Sequence, residues 1–323
     1  ISDLKTNLSG WTASGGAWTP HLYGIKATRT GANDTFRIAG NTESDFVMEG
    51  DLRVDPATPF GIAALVFRAN ATGSSGYVLN IDPNLDQVRL FDANGGTTIA
   101  AAPMTIDTGK TYHLEVYAKN SSLKVFVNGY DTPAISVTDT RYSSGRLGLN
   151  AFNGTAYFQN VYVFPIEDYY NEMYRPKYHY TMAQNWISDP NGLVFYDGEY
   201  HLFAQDGGTW THAVSTDLLH WKRLPIAIPW NEMGHAWSGS AVVDANNVSG
   251  LFNGGSVLIA YYTIFHPDKP GGNQKIGIAY SKDKGRSWEF YNGNPIIGNP
   301  GGPDGGWDFR DPKVVWDGDH SQW

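Results

Sequence analysis

A repeat in the second half of the sequence constrains the fold more than any other feature. Ala213-x-Ser215-x-Asp217 followed by Trp221 recurs as Ala279-x-Ser281-x-Asp283 followed by Trp288, 66 residues further on. A second pair runs in the same register. Asp189-Pro190, an apolar run and Asp197-Gly198 return as Asp311-Pro312, Val314-Val315-Trp316 and Asp317-Gly318, 122 residues further on and close to two periods of 61. Each copy reads as strand, turn, strand. A period near 60 built only from strands is that of a β-propeller blade, whose inner strand lines a central channel. A propeller needs at least four blades, and residues 178–323 hold about two and a half. The sequence stops at Trp323 in mid-hairpin, so the chain is expected to be the front part of a longer protein.

Residues 1–163 read as a separate unit. Phe46–Val54 alternates, with Phe46, Met48, Leu52 and Val54 on one face and Val47, Glu49, Asp51 and Arg53 on the other. Similar runs span 61–69, 77–81, 88–91, 112–118, 123–127 and 156–163. Asn94-Gly95, Asn128-Gly129 and Asn153-Gly154 supply turn chemistry, because Asn and Gly tolerate positive φ. Many short strands at close spacing predict an antiparallel β-sandwich. Residues 164–177, with Pro165 and Pro176, are the expected linker. The predicted class is all-β: an N-terminal sandwich followed by part of a propeller. No stretch shows long helical periodicity, and the 41% hydrophobic content suffices for two cores.

A net charge of −9 argues against a nucleic-acid partner, which needs a basic stripe to displace counterions. No apolar run reaches the roughly 18 residues of a membrane span. With no Cys, disulfides, thiolate metal sites and Cys nucleophiles are excluded. His179, His201, His212, His220 and His235 cluster in the second half without zinc spacing, so no metal or cofactor is expected and structural roles are favoured. Asp82-x-Asn84-x-Asp86 has Gln87 where a calcium loop needs Gly, and is expected to be a turn. Six Asn-x-Ser/Thr acceptors, at Asn7, Asn33, Asn70, Asn120, Asn153 and Asn247, fit a secreted, extracellular protein, and a start at Ile1 fits a processed one.

The two Asp-Pro steps, Asp189-Pro190 and Asp311-Pro312, place carboxylates at the start of inner-strand patterns. Inner strands of separate blades converge at one funnel mouth, and paired carboxylates are what glycoside cleavage requires. Arg310 favours the ionised form of a nearby carboxylate. An Asp-Pro step also simply starts strands, Asp capping the turn and Pro fixing φ. The residues alone leave both readings open.

The segments around these steps carry a resemblance. Arg175-Pro176 through His179-Tyr180-Thr181, then Asn185-Trp186-Ile187-Ser188-Asp189-Pro190-Asn191-Gly192, resembles the opening motif of glycoside hydrolase family 32, the β-fructosidases. The likeness continues through Tyr200-His201-Leu202-Phe203-Ala204-Gln205, His212-Ala213-Val214-Ser215-Thr216-Asp217, Trp237-Ser238-Gly239-Ser240 and Phe309-Arg310-Asp311-Pro312. It implies a five-bladed propeller and a retaining mechanism that releases terminal fructose from levan, inulin or sucrose. Asp189 matches the nucleophile and Asp311 the transition-state stabiliser. Gln205, Trp210, Ser238 and Arg310 match residues lining the fructose pocket. Ser188 replaces the usual Asn there, the segment from Gln205 to Trp210 is short, and Thr211 replaces a common Gly. The family's acid/base is a Glu in a Glu-Cys motif after Arg-Asp-Pro. Only 12 residues follow Asp311 and none is Glu, so that group and the family's C-terminal sandwich are expected beyond Trp323.

The first half resembles the lectin-like modules of carbohydrate-binding family 66, through residues 61–67, Ser75-Gly76-Tyr77-Val78, Tyr112-His113-Leu114 and 148–154. That resemblance implies a fructan anchor. The alternatives are a fructosyltransferase on the same scaffold, a different propeller glycosidase, or a fructan-binding protein or fragment without catalysis.

Overall fold

The computed structural model describes residues 10–22, 24–29, 35–166, 173–182, 186–269, 273–304 and 306–323. The chain is all-β and divides into two compact units, Ile1–Asp168 and Tyr169–Trp323.

The first unit is a sandwich of two seven-stranded antiparallel sheets. One runs, in spatial order, β1 (Trp11–Ser14), β4 (Thr35–Glu43), β13 (Gly145–Phe152), β6 (Ile62–Ala69), β7 (Tyr77–Asp82), β8 (Gln87–Asp92), β9 (Thr98–Pro103). The other runs β12 (Ile135–Thr138), β11 (Ser122–Val127), β10 (Thr111–Lys119), β5 (Phe46–Val54), β14 (Thr155–Pro165), β3 (Gly24–Thr28), β2 (Ala17–His21). Their inner faces enclose one core in which Met48, Leu52, Leu114 and Val116 of the second sheet join Leu65, Phe67, Leu79 and Leu149 of the first. The period-2 reading of Phe46–Val54 therefore holds for its core face.

Its other face differs from the simple alternation. Glu49 and Asp51 are 2% and 6% exposed. Asp51 sits 2.7 Å from Nδ1 of His113 and accepts from Nδ2 of Asn160 at 2.6 Å, so polar partners carry the burial. The turns behave as their residues dictate. Asn128 and Gly129 both take positive φ and Tyr130 N–H donates to Val127 O at 3.2 Å, which closes a two-residue turn. Asp82 accepts from Asn84 N–H at 2.9 Å, and the segment turns β7 into β8. Asn7 and Asn33 lie outside the described residues.

The second unit holds two four-stranded antiparallel meanders, the form of propeller blades. The first is β15 (Pro190–Tyr196), β16 (Glu199–Asp206), β17 (Thr209–Ser215), β18 (Lys222–Ile228). The second is β19 (His235–Asp244), β20 (Val257–Phe265), β21 (Lys275–Ser281), β22 (Glu289–Phe290). The 66-residue repeat marks equivalent places, since β17 ends at Ser215 and β21 at Ser281. Each serine hydroxyl bonds the aspartate two residues on, at 3.1 Å and 2.9 Å. Each following indole donates to the carbonyl three residues back, Trp221 to Leu218 and Trp288 to Gly285, both at 3.1 Å.

The second repeat pair is only half strand. Asp197-Gly198 makes the tight turn between β15 and β16, but residues 309–316 form no strand. A strand exists only with a ladder partner, and among the described residues this segment has none. Its backbone is held instead by Ser240 of β19, which bonds Pro312 O at 2.9 Å and Val314 N at 3.0 Å.

Candidate functional site

The two inner strands meet at Gly192, φ +51°, where an added Cβ would lie 2.8 Å from Ala241 Cβ. That close approach sets the start of β15, with Asp189 just before it, beside the middle of β19. Here β19 carries a bulge. Trp237 pairs with Thr263 and Gly239 with Tyr262, leaving Ser238 as the extra residue. Bulges re-aim side chains, and the Ser238 hydroxyl donates to Oδ2 of Asp189 at 3.1 Å. Neighbouring contacts fix the same turn. Gln205 N–H donates to Asp189 O at 3.0 Å, and Gly239 N–H donates to Oδ1 of Asn191 at 3.3 Å.

Asp311 reaches this cluster from the following segment. Its N–H donates to the Thr263 hydroxyl at 2.8 Å, and that hydroxyl donates to Ser238 O at 3.1 Å. Asp311 sits at φ +61° directly before Pro312. This conformation is unusual for a non-glycine residue and costs about 1–3 kcal/mol, which the surrounding contacts must over-determine. Arg310 Nε lies 3.6 Å from Asp311 Oδ2, while its Nη1 bonds Asp308 at 2.7 Å and Trp307 O at 3.2 Å. Gln274, fully buried, also donates to Trp307 O. Both aspartates are exposed, as a substrate-facing pair requires. Trp237 stacks on Phe265 with centroids 3.8 Å apart, and Trp307 meets Phe265 edge-on.

Of the residues singled out in the sequence, Asp189 and Ser238 are in direct contact, and Asp311 with Arg310 joins them through Thr263. Gln205 contributes by fixing backbone, its Nε2 donating to Ala236 O at 3.0 Å. Trp210 differs from a pocket-lining residue: it is 0% exposed, packs on Phe203, and donates its indole N–H to Trp237 O at 2.9 Å. Its donor must be satisfied inside the core, so it supports the Trp237 backbone from below and offers no face to a sugar. Ser188 is half-buried and forms no side-chain hydrogen bond among the described residues. Thr263, Ser240 and Gln274 were not anticipated. For Thr263 the available signal is its place as a polar residue inside the apolar run Val257–Phe265; Ser240 closes the Trp237–Ser240 motif, and Gln274 carries no signal.

Two of the five histidines singled out in the sequence, His201 and His212, are buried in the first blade. His201 Nδ1 and His212 Nε2 lie 3.0 Å apart in the first blade, and His212 stacks on Phe203. Burial pushes His201 down to about 4 and His212 well below its ordinary value.

Two consecutive four-stranded blades thus bring two exposed aspartates close together, Asp189 just before the first strand of one blade and Asp311 in the segment that follows the other. Residues 179–323 match the glycosyl hydrolases family 32 N-terminal domain, and residues 3–163 match the 3-keto-alpha-glucoside-1,2-lyase-like domain. The levanase of Bacillus sp. (strain L7) is 48% identical over 332 residues, covering 100% of this chain and 36% of that protein. The extracellular exo-inulinase of Aspergillus awamori is 39% identical over 180 residues, covering 48% of this chain and 34% of that protein. A carbohydrate-binding module of family 66 from Bacillus subtilis covers 49% of this chain and 97% of its own, at 31% identity and a TM-score of 0.45. The chain thus spans about a third of the length of both curated relatives.

Proposed function

We propose that the chain serves retaining hydrolysis of terminal fructosyl units in β-fructans, levan or inulin, or in sucrose, in the extracellular space. Asp189 is the nucleophile and Asp311 the transition-state stabiliser. The observation that carries this reading is the hydrogen-bonded path Asp189–Ser238–Thr263–Asp311, which links the Asp189 carboxylate to the backbone of Asp311, two residues whose side chains are both exposed.

Ser238 occupies Oδ2 of Asp189, and Oδ1 has no protein donor among the described residues. Oδ1 attacks the anomeric carbon, the glycosidic bond breaks, and its electron pair leaves on the aglycone oxygen, which takes a proton from an acid. Water then cleaves the fructosyl ester, releasing fructose and regenerating the carboxylate. Asp311, with Arg310 beside it, holds sugar hydroxyls and offsets developing positive charge. The 323 residues contain no Cys and therefore no Glu-Cys motif to supply the acid. In this reading the first unit anchors the site to polymer, the linker begins only after β14 ends at Pro165, two residues later than the expected 164, and residues 178–323 belong to a five-bladed propeller. Anchoring raises the effective concentration of chain ends.

The test is β-D-fructofuranosyl fluoride, whose leaving group departs without a proton. Fluoride release, with a protein mass increase of one fructosyl unit that maps to Asp189, is the expected result. Undiminished release after Asp189→Asn would refute the assignment.

A further inference from the structure

We infer that Thr263 is the positioning residue that sets the two aspartates in one geometry, holding the Asp311 turn against the bulge that aims Ser238 at Asp189. The inference rests on the reading of Asp189 as nucleophile and Asp311 as stabiliser.

All nine positions of β20, Val257–Phe265, are buried, and Thr263 is 0% exposed. A buried hydroxyl is costly unless it bonds, and this one uses both its capacities on functional backbone. It donates to Ser238 O at 3.1 Å and accepts from Asp311 N–H at 2.8 Å. The bulge explains the first bond. Because Ser238 is the extra residue opposite Thr263 and Tyr262, its carbonyl has no regular ladder position. The second bond addresses the strain at Asp311, whose positive φ before Pro312 persists only where neighbours hold it. Ser240 clamps the far side of the same turn through Pro312 O and Val314 N. Thr263 touches neither reacting carboxylate; it acts through the backbone of Asp311 and of Ser238.

The experiment uses the full chain and fructosyl fluoride. Thr263→Val keeps the shape and removes both bonds. The expected result is a kcat for fluoride release about ten- to a hundredfold lower, because an ångström of misplacement costs that much. Thr263→Ser restores the hydroxyl and is expected to stay within about threefold of the unsubstituted chain. Thermal unfolding confirms that each variant is folded. Should Thr263→Val unfold, Thr263→Cys, similar in size but a poor donor and acceptor, takes its place with the same expectation. Release by the Val or Cys variant equal to the unsubstituted chain overturns the inference. So does a Ser variant as impaired as Val, since shape would then matter and not the hydroxyl. Absence of release from the unsubstituted chain overturns the nucleophile assignment itself and the inference with it, an outcome distinct from the other two.

Discussion

Ser238 and Asp189 stand 49 residues apart in sequence, yet the hydroxyl of one donates to the carboxylate of the other at 3.1 Å. The bulge in β19 makes this contact, since a regular register would turn the residue after Trp237 to the opposite face. The bond fixes the carboxylate's rotation and points its other oxygen outward. Ser238→Ala is therefore expected to lower kcat for fluoride release about ten- to a hundredfold, the worth of a hydrogen bond to a charged group. Its melting temperature should stay close to the parent's, because the residue is only half-buried. A kcat within twofold of the parent would show that Asp189 is oriented by something else.

Arg310 sits at a rim, 35% exposed, beside a carboxylate that is 55% exposed. Such a pair adds little stability, at most about 1 kcal/mol. Its planar fork nevertheless bridges Asp308, Trp307 O and the vicinity of Asp311, which a lysine cannot reproduce. Arg310→Lys is expected to impair fluoride release by roughly tenfold while leaving urea stability unchanged. The two readouts together check it: a large stability loss with normal turnover would place Arg310 in the scaffold alone.

The repeat and the strand alternation carried most of the architecture into view. Phe46–Val54 is a strand over its whole predicted length, and the Ser-x-Asp repeats end the third strand of each blade. Other elements were hidden for physical reasons. β13 is central to its sheet yet contains glycines, because a side chain at Gly148 would strike Ile38 and the Arg37 carbonyl. β1 is largely exposed and lacks a periodic pattern. In the site, Asp189 and Asp311 were legible as motifs. Their coupling was not, because it runs through a bulge and a left-handed backbone, neither of which leaves a periodic trace. Trp210 shows the converse: its motif is legible, but burial decides that it supports backbone.

Gly192 leaves no room for a side chain where β15 packs on β19. Gly192→Ala meets Ala241 Cβ at 2.8 Å and its backbone N at 3.0 Å, and must also hold φ +51°. Backbone conformation and crowding each cost about 1 kcal/mol or more. The expected outcome is a loss of about 2–4 kcal/mol in urea-induced unfolding, with impaired fluoride release as β15 shifts off β19. An unchanged unfolding midpoint would show that the blades tolerate a wider spacing there.

The His201–His212 pair makes the first blade sensitive to acid. Burial is the leading cause that lowers both imidazoles, His201 to about 4, and the nearby Arg286 guanidinium adds to it, against a partial opposing pull from Glu199 on His201. Both are neutral in the folded state while the unfolded chain protonates near 6.5. The unfolded state then binds more protons, so stability falls with falling pH. The contribution is complete above pH 6.5 and is lost progressively as the pH drops through 6.5 towards 4, by on the order of 3 kcal/mol for His201. Urea unfolding between pH 7 and pH 5, a window above most carboxylate titration, is expected to show this slope. His201→Gln, which cannot protonate, is expected to reduce the slope, the remainder coming from His212 and from His235, which burial also lowers. The direct check is the imidazole carbon shift of His201 by NMR: titration with a midpoint above pH 5.5 would mean that the ring is hydrated in solution and that the acid sensitivity comes from elsewhere.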